Sequence, residues 1–194
     1  MLILPTPQNY RKYALLFLAL LTLLFTSCTA IVWQNPVYPV DGYLHDARLP
    51  GAWSTGKNET AFIGKPVDGW MSFVYVNASA GDQKLFGKMY VSKLNGRRFL
   101  NVKFHDPDGN RDFEDGYLVV EYRTNGKRLW VSPVDADLVK QAVDRNQVPG
   151  MISERDSSIL VIRAESNQVR EFIRNTPEKL LFPFNQKEFL TRIR

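Results

Sequence analysis

Leu85-Phe-Gly-Lys-Met-Tyr-Val-Ser-Lys-Leu-Asn95-Gly96-Arg-Arg-Phe-Leu-Asn-Val-Lys-Phe-His105 is the stretch that decides the fold. Residues 85–91 are rich in aromatic and β-branched types, as strands prefer. Residues 98–105 alternate, with Leu100, Val102 and Phe104 on one face and Phe99, Asn101, Lys103 and His105 on the other. Asn95-Gly96 lies between the two runs. Both residues tolerate positive φ, so this pair is a strong hairpin signal. Working outward, residues 70–76, 116–122 and 128–134 read as further strands, and Asp108-Gly109-Asn110 and Asn125-Gly126 supply turns. Short connections make neighbours antiparallel in chain order. The region from Gly51 to about Val134 is therefore expected to form an antiparallel meander, curled into a barrel or half-barrel. Closure would remove exposed strand edges. An open α+β sheet is the alternative.

After residue 134 the period changes. Asp135 is placed to cap a helix over about 136–146, with Leu138, Val139, Ala142 and Val143 at helical spacing, and Val148-Pro-Gly150 ends it. Ser158-Ile-Leu-Val-Ile162 is apolar on both faces and reads as a buried strand. Ser166 is expected to cap a second helix that turns Val169, Phe172 and Ile173 inward. Thr176-Pro177-Glu178 reads as a fresh cap with Pro at the first helical position. The meander thus carries a C-terminal helix–strand–helix extension.

The first 28 residues tell where the protein sits. Arg11 and Lys12 precede an apolar run, 13–25, which is followed by Thr26-Ser27-Cys28. A basic n-region, an apolar h-region and small residues form a secretory signal. With its cysteine the segment resembles a bacterial lipoprotein signal peptide, with Phe25-Thr-Ser-Cys28 as lipobox. That resemblance implies cleavage before Cys28, lipidation of Cys28 and attachment to the membrane. Thr29, a residue other than Asp, implies by the same resemblance the outer membrane of a Gram-negative envelope, facing the periplasm. Cys28 is the single cysteine of 194 residues, so no disulfide forms within the chain. The other reading is an uncleaved helix. Residues 13–33 carry no charge, and about 20 apolar residues span a bilayer. On these grounds the chain divides into a signal at 1–27, a lipidated Cys28 with an extended tether over 28–50, and one β-rich domain over 51–194.

The opening of that domain, Leu49-Pro-Gly51-Ala-Trp53, resembles the calycin and lipocalin group, whose barrels begin with Gly-x-Trp. The resemblance implies that Trp53 closes one barrel end and that the barrel can hold a ligand. The Thr-Asp-Tyr triplet of lipocalins is absent, and the segment after residue 135 departs from their plan. The whole layout also resembles small bacterial lipoproteins.

Charge excludes one class of partner. The chain carries +5 overall, but Arg11 and Lys12 belong to the signal, residues 28–162 balance, and the remaining excess lies in a tail ending Phe189-Leu-Thr-Arg-Ile-Arg194. No basic face for nucleic acid is visible. Only two histidines occur, His45 and His105, without zinc spacing, and there is no Gly-x-Ser-x-Gly elbow. These patterns lean against an enzyme, and no cofactor is implied. Asp106, Asp108, Asn110 and Asp112 alternate like the first ligands of a calcium loop. Arg111 replaces the usual Gly, however, and Tyr117 the closing Glu, so a solvated hairpin loop is the simpler reading.

Aromatic residues supply the remaining candidates. Trp53, Phe73, Tyr75, Phe86, Tyr90, Phe99 and Tyr122 line either a core or a pocket for an apolar or amphipathic ligand. Two functions follow: a lipid-anchored protein that binds such a ligand, or a structural lipoprotein that contacts another envelope component.

Overall fold

The computed structural model describes residues 29–39, 42–56, 58–78, 83–105, 115–154, 156–184 and 189–193. Its strands are β1 (Ala30–Trp33), β2 (Gly51–Ser54), β3 (Glu59–Ile63), β4 (Met71–Asn77), β5 (Gln83–Leu94), β6 (Arg97–His105), β7 (Leu118–Thr124), β8 (Arg128–Pro133), β9 (Gly150–Ile152), β10 (Ile159–Ile162) and β11 (Leu190–Arg192). The helices are α1 (Ala136–Asp144), α2 (Ser166–Asn175) and α3 (Glu178–Leu181). Strands β2 to β8 form the expected antiparallel meander, and β11 closes it into an eight-stranded barrel of lipocalin-like type.

The turns act as their residue types require. Asn95 and Gly96 both hold positive φ, 52° and 82°, which suits the twist of a tight hairpin. Gly126 has φ 84°, and the Asn125 side chain accepts from the Lys127 and Arg128 amides. Asp135 caps α1 by accepting from the Leu138 amide at 2.8 Å. Two caps differ from expectation. Glu165, not Ser166, caps α2 through a reciprocal box with Gln168, while the Ser166 hydroxyl donates to Pro36. Pro177 is itself the cap of α3, so Glu178 is the first helical residue.

Residues 29–50, expected to be an extended tether, pack on the domain where they are described. Among those described, Ala30–Trp33 form β1, which runs parallel to β10, while β9 flanks β10 antiparallel. Ile31, Trp33, Val37 and Leu49 are buried. Apolar residues this close to a large domain lose less by packing than by remaining in water.

Two hydrophobic clusters result. One fills the barrel: Trp53, Ile63, Met71, Met89, Val91, Leu100, Val102, Val120, Tyr122 and Leu129, with Leu49 beneath. The other lies outside it, between the barrel wall and the layer made by β1, β10 and the helices. There Leu94, Phe99 and Val119 meet Trp33, Val139, Leu160, Ile162, Val169, Ile173 and Phe182. Both faces of β6 are therefore buried over part of its length.

Candidate functional site

Alternation sorts the seven aromatic candidates. Trp53, Phe73, Tyr75 and Tyr122 point into the barrel, sharing a face with Ala61, Ile63 and Val120. Phe86, Tyr90 and Phe99 point outward from β5 and β6. The seven therefore do not line one site. Tyr90 is buried outside the barrel, its hydroxyl donating to the Tyr38 carbonyl at 2.5 Å and its ring edge-on to Trp70. Phe99 packs edge-on to Phe182. The inward four join a packed core, or, for Tyr75, sit half-buried near Glu59. Burial and then Glu59 push the Tyr75 phenol up.

One barrel end is sealed by polar groups that the sequence reading did not single out. Trp53 Nε1–H donates to the Leu49 carbonyl at 2.8 Å. Over its ring, 4.4 Å from the centroid, lies the Arg192 guanidinium. That guanidinium donates to the carbonyls of Gly126, Pro50 and Arg48, tying β11, the β7–β8 turn and the start of β2 together. Beside it, buried Asp46 accepts from Arg48 Nε and Nη2, from Arg98 Nη1 at 2.9 Å and from the Tyr122 hydroxyl at 2.9 Å. Burial works to raise the Asp46 carboxyl, but the hydrogen bonds from Arg48 and Tyr122 outweigh it and hold the group below its usual range. Burial, and next Asp46, push Tyr122 up. The arrangement is a structural plug: both Asp46 oxygens accept from donors held by the fold.

A second buried carboxylate lies outside the barrel. Glu121 accepts from Arg97 Nε at 3.0 Å and from its Nη2, and Arg97 lies over the rings of Phe99 and Phe182. Arg123 bonds Glu178 at the start of α3. Burial raises Glu121, with Arg97 pulling it partly back. This network fastens α3 to the barrel.

The side of the barrel left bare among the described residues carries a furrow of about 520 Å³. Register gives its geometry. Phe73, Gly87 and Phe104 are cross-strand partners whose side-chain direction is inward, so their backbone is the floor. Ser72, Lys88 and Lys103 form one wall; Val74, Phe86 and His105 form the other. Rows two residues apart stand about 7 Å from each other. Gly87 is required here because a β-carbon would meet the Phe73 ring at 2.4 Å. Val74 and Phe86 thus give one wall a half-buried apolar stretch that ends at the exposed imidazole of His105, and the other wall is cationic. Lys103 binds Asp115 at 2.6 Å, and Lys88 lies over the Trp70 ring at 4.6 Å. The apolar row continues to Phe62 on β3, 49% exposed, and to Ala52 on β2 beside Ile193, 48% exposed.

Cys28 and the loop residues Asp106, Asp108, Asn110 and Asp112 fall outside the described residues. Among the described residues no cluster could hold a metal ion, and no helix is long and apolar enough to cross a membrane. Comparison with protein-family models, with curated proteins and with solved structures found no match.

Of the candidates, only Phe86 reaches the furrow with its side chain. Lys88 escaped notice because a lysine on an alternating strand reads as a solvated position. Its spacing from Phe86, two residues along one face, was the available signal. Asp46, Arg48 and Arg192 lie far from one another in sequence, and nothing local pairs them.

Proposed function

We propose that the protein is a lipid-anchored component of the bacterial envelope, held at the outer membrane through Cys28 and facing the periplasm, that binds a small apolar or amphipathic ligand. The observation that carries the ligand reading is the furrow of about 520 Å³, which joins an apolar stretch to a cationic wall on a sheet face that no described element covers. Its volume falls within the range of ordinary ligand sites, about 300–1,000 Å³. The ligand belongs there rather than in the barrel centre, because Trp53, Met71, Met89, Leu100 and Tyr122 pack against one another inside. The placement of Trp53 at a sealed end supports a calycin relationship. Native mass spectrometry of the gently purified protein tests the reading; a co-purified small molecule is expected, and a bare mass under saturating amphiphile would remove it. Labelled fatty acid should enter the wild type and not Cys28→Ala; equal incorporation would remove the anchor.

A second reading is an interaction lipoprotein that contacts another envelope component. Phe62 and Ile193 favour it, since they extend the apolar row beyond the furrow. A co-purified protein, with no small molecule, would make it the better account.

A further inference from the structure

The chemistry of the furrow narrows its ligand. Among its nine lining residues there is no carboxylate: Ser72, Phe73, Val74, Phe86, Gly87, Lys88, Lys103, Phe104 and His105. A cationic head would therefore find no counter-charge on the walls. A sugar would set the hydroxyls of one side against Val74 and Phe86, where no polar group answers them, and each unpaired polar group costs binding. An alkyl chain suits that wall. The two lysines are not equivalent. Lys103 is already committed to Asp115 at 2.6 Å. Lys88 has no carboxylate partner among the described residues, and its ammonium rests on the face of Trp70. It stands directly across from Ser72, whose hydroxyl adds a donor on the same wall.

We infer that the furrow binds a single-chain anionic amphiphile, its tail along Val74 and Phe86 and its acid head at Lys88 and Ser72. The inference rests on the ligand-binding reading and names the site and the charge of what is bound. Trp70 makes it observable, because withdrawing the Lys88 ammonium toward a bound anion changes the field on the indole.

The test uses residues 29–194, which carry every described member of both hydrophobic clusters, after a cooperative thermal melt has shown that they fold. Dodecyl phosphate, dodecanol and dodecyltrimethylammonium share one tail and differ in head charge. Each is titrated below its micelle concentration, by calorimetry and by tryptophan emission. The phosphate should bind one to one and saturably, about tenfold more tightly than the ammonium, a difference of about 1.4 kcal/mol. Lys88→Gln should weaken the phosphate about fivefold, the scale of one exposed ion pair, and leave dodecanol unchanged. Phe86→Ser should weaken all that bind. Trp70→Phe should remove the emission change while calorimetry still registers binding. Equal affinity for the three heads, or affinities untouched by Lys88→Gln and Phe86→Ser, would overturn the site and head-group assignment while the ligand reading survives. Binding to phosphatidylglycerol vesicles without binding of the monomer would overturn it in favour of a membrane-docking face. No binding of any of the three would remove the ligand reading itself.

Discussion

The two outer faces of this barrel are built by the same rule and meet different fates. Over β5 to β7 the outward residues Ser92, Phe99, Asn101, Val119 and Glu121 are buried beneath β1, β10 and the helices. Their polar members are paired: Asn101 donates to the Ser92 hydroxyl and accepts from the Val37 amide, and Glu121 takes Arg97. Over β2 to β5 the outward residues Phe62, Val74 and Phe86 remain at the surface. Burial drives such pairing, because desolvation without a partner is expensive; the Trp33 indole N–H, buried in the same layer, is left without one. A bare face must justify its apolar groups by what they bind. Fold stability therefore sits on one face and the candidate function on the other.

Mutation can break that division. The largest effect is expected from Phe99→Ala, about 3–5 kcal/mol of destabilisation by chemical denaturation, because the ring is fully buried against Phe182. A value near zero would mean that the helical layer is not packed on β6. Arg97→Ala should cost about 3 kcal/mol, since it leaves Glu121 buried without its cation. Changing both Arg97 and Glu121 to leucine should restore much of that loss. Arg192→Met should cost about 2 kcal/mol through three lost carbonyl contacts, and hydrogen exchange should rise first in β11 and β2.

Acid and base divide the two buried carboxylates. Asp46 has a folded-state value below its ordinary 3.8, so its stabilisation is complete above that value and is lost as pH falls through the lower folded one. Asp46→Asn should flatten the acid limb of a stability profile. Glu121 is raised above its ordinary 4.5, so its contribution is complete below that value and declines as pH rises through the folded one. Glu121→Gln should flatten that upper limb instead. The smallest effect belongs to the bare face: Phe62→Ser should change stability by no more than about 0.5 kcal/mol. A large loss there would mean that Phe62 is part of the core after all.

Strands β4 to β8 were legible because alternation and Asn-Gly turns are local properties of the backbone and side chains. So was α1, whose Asp135 cap acts three residues away. The sequence could not tell which face of β6 is inward. Leu100 and Phe99 are both apolar, and a second layer buries them both. Strand β11 was missed for a related reason. Leu190-Thr-Arg192 carries two polar residues in three and reads as a basic tail, yet its backbone pairs with both β2 and β8. Backbone pairing leaves no mark in side-chain pattern when the strand is this short.

By itself, then, the sequence determined an antiparallel meander with a helical end, and residues at its start that resemble a lipid anchor. These follow from period, turn chemistry and composition, each spanning a few residues. Only the tertiary structure decided that the meander closes, that residues 30–33 belong to the domain, that Trp53 is sealed by Arg192 from the far end of the chain, and that Ser72, Lys88 and Lys103 from three strands line one wall of a furrow. Those outcomes depend on contacts between distant segments. Their free energy comes from burial shared by several elements, and no single stretch of sequence carries it.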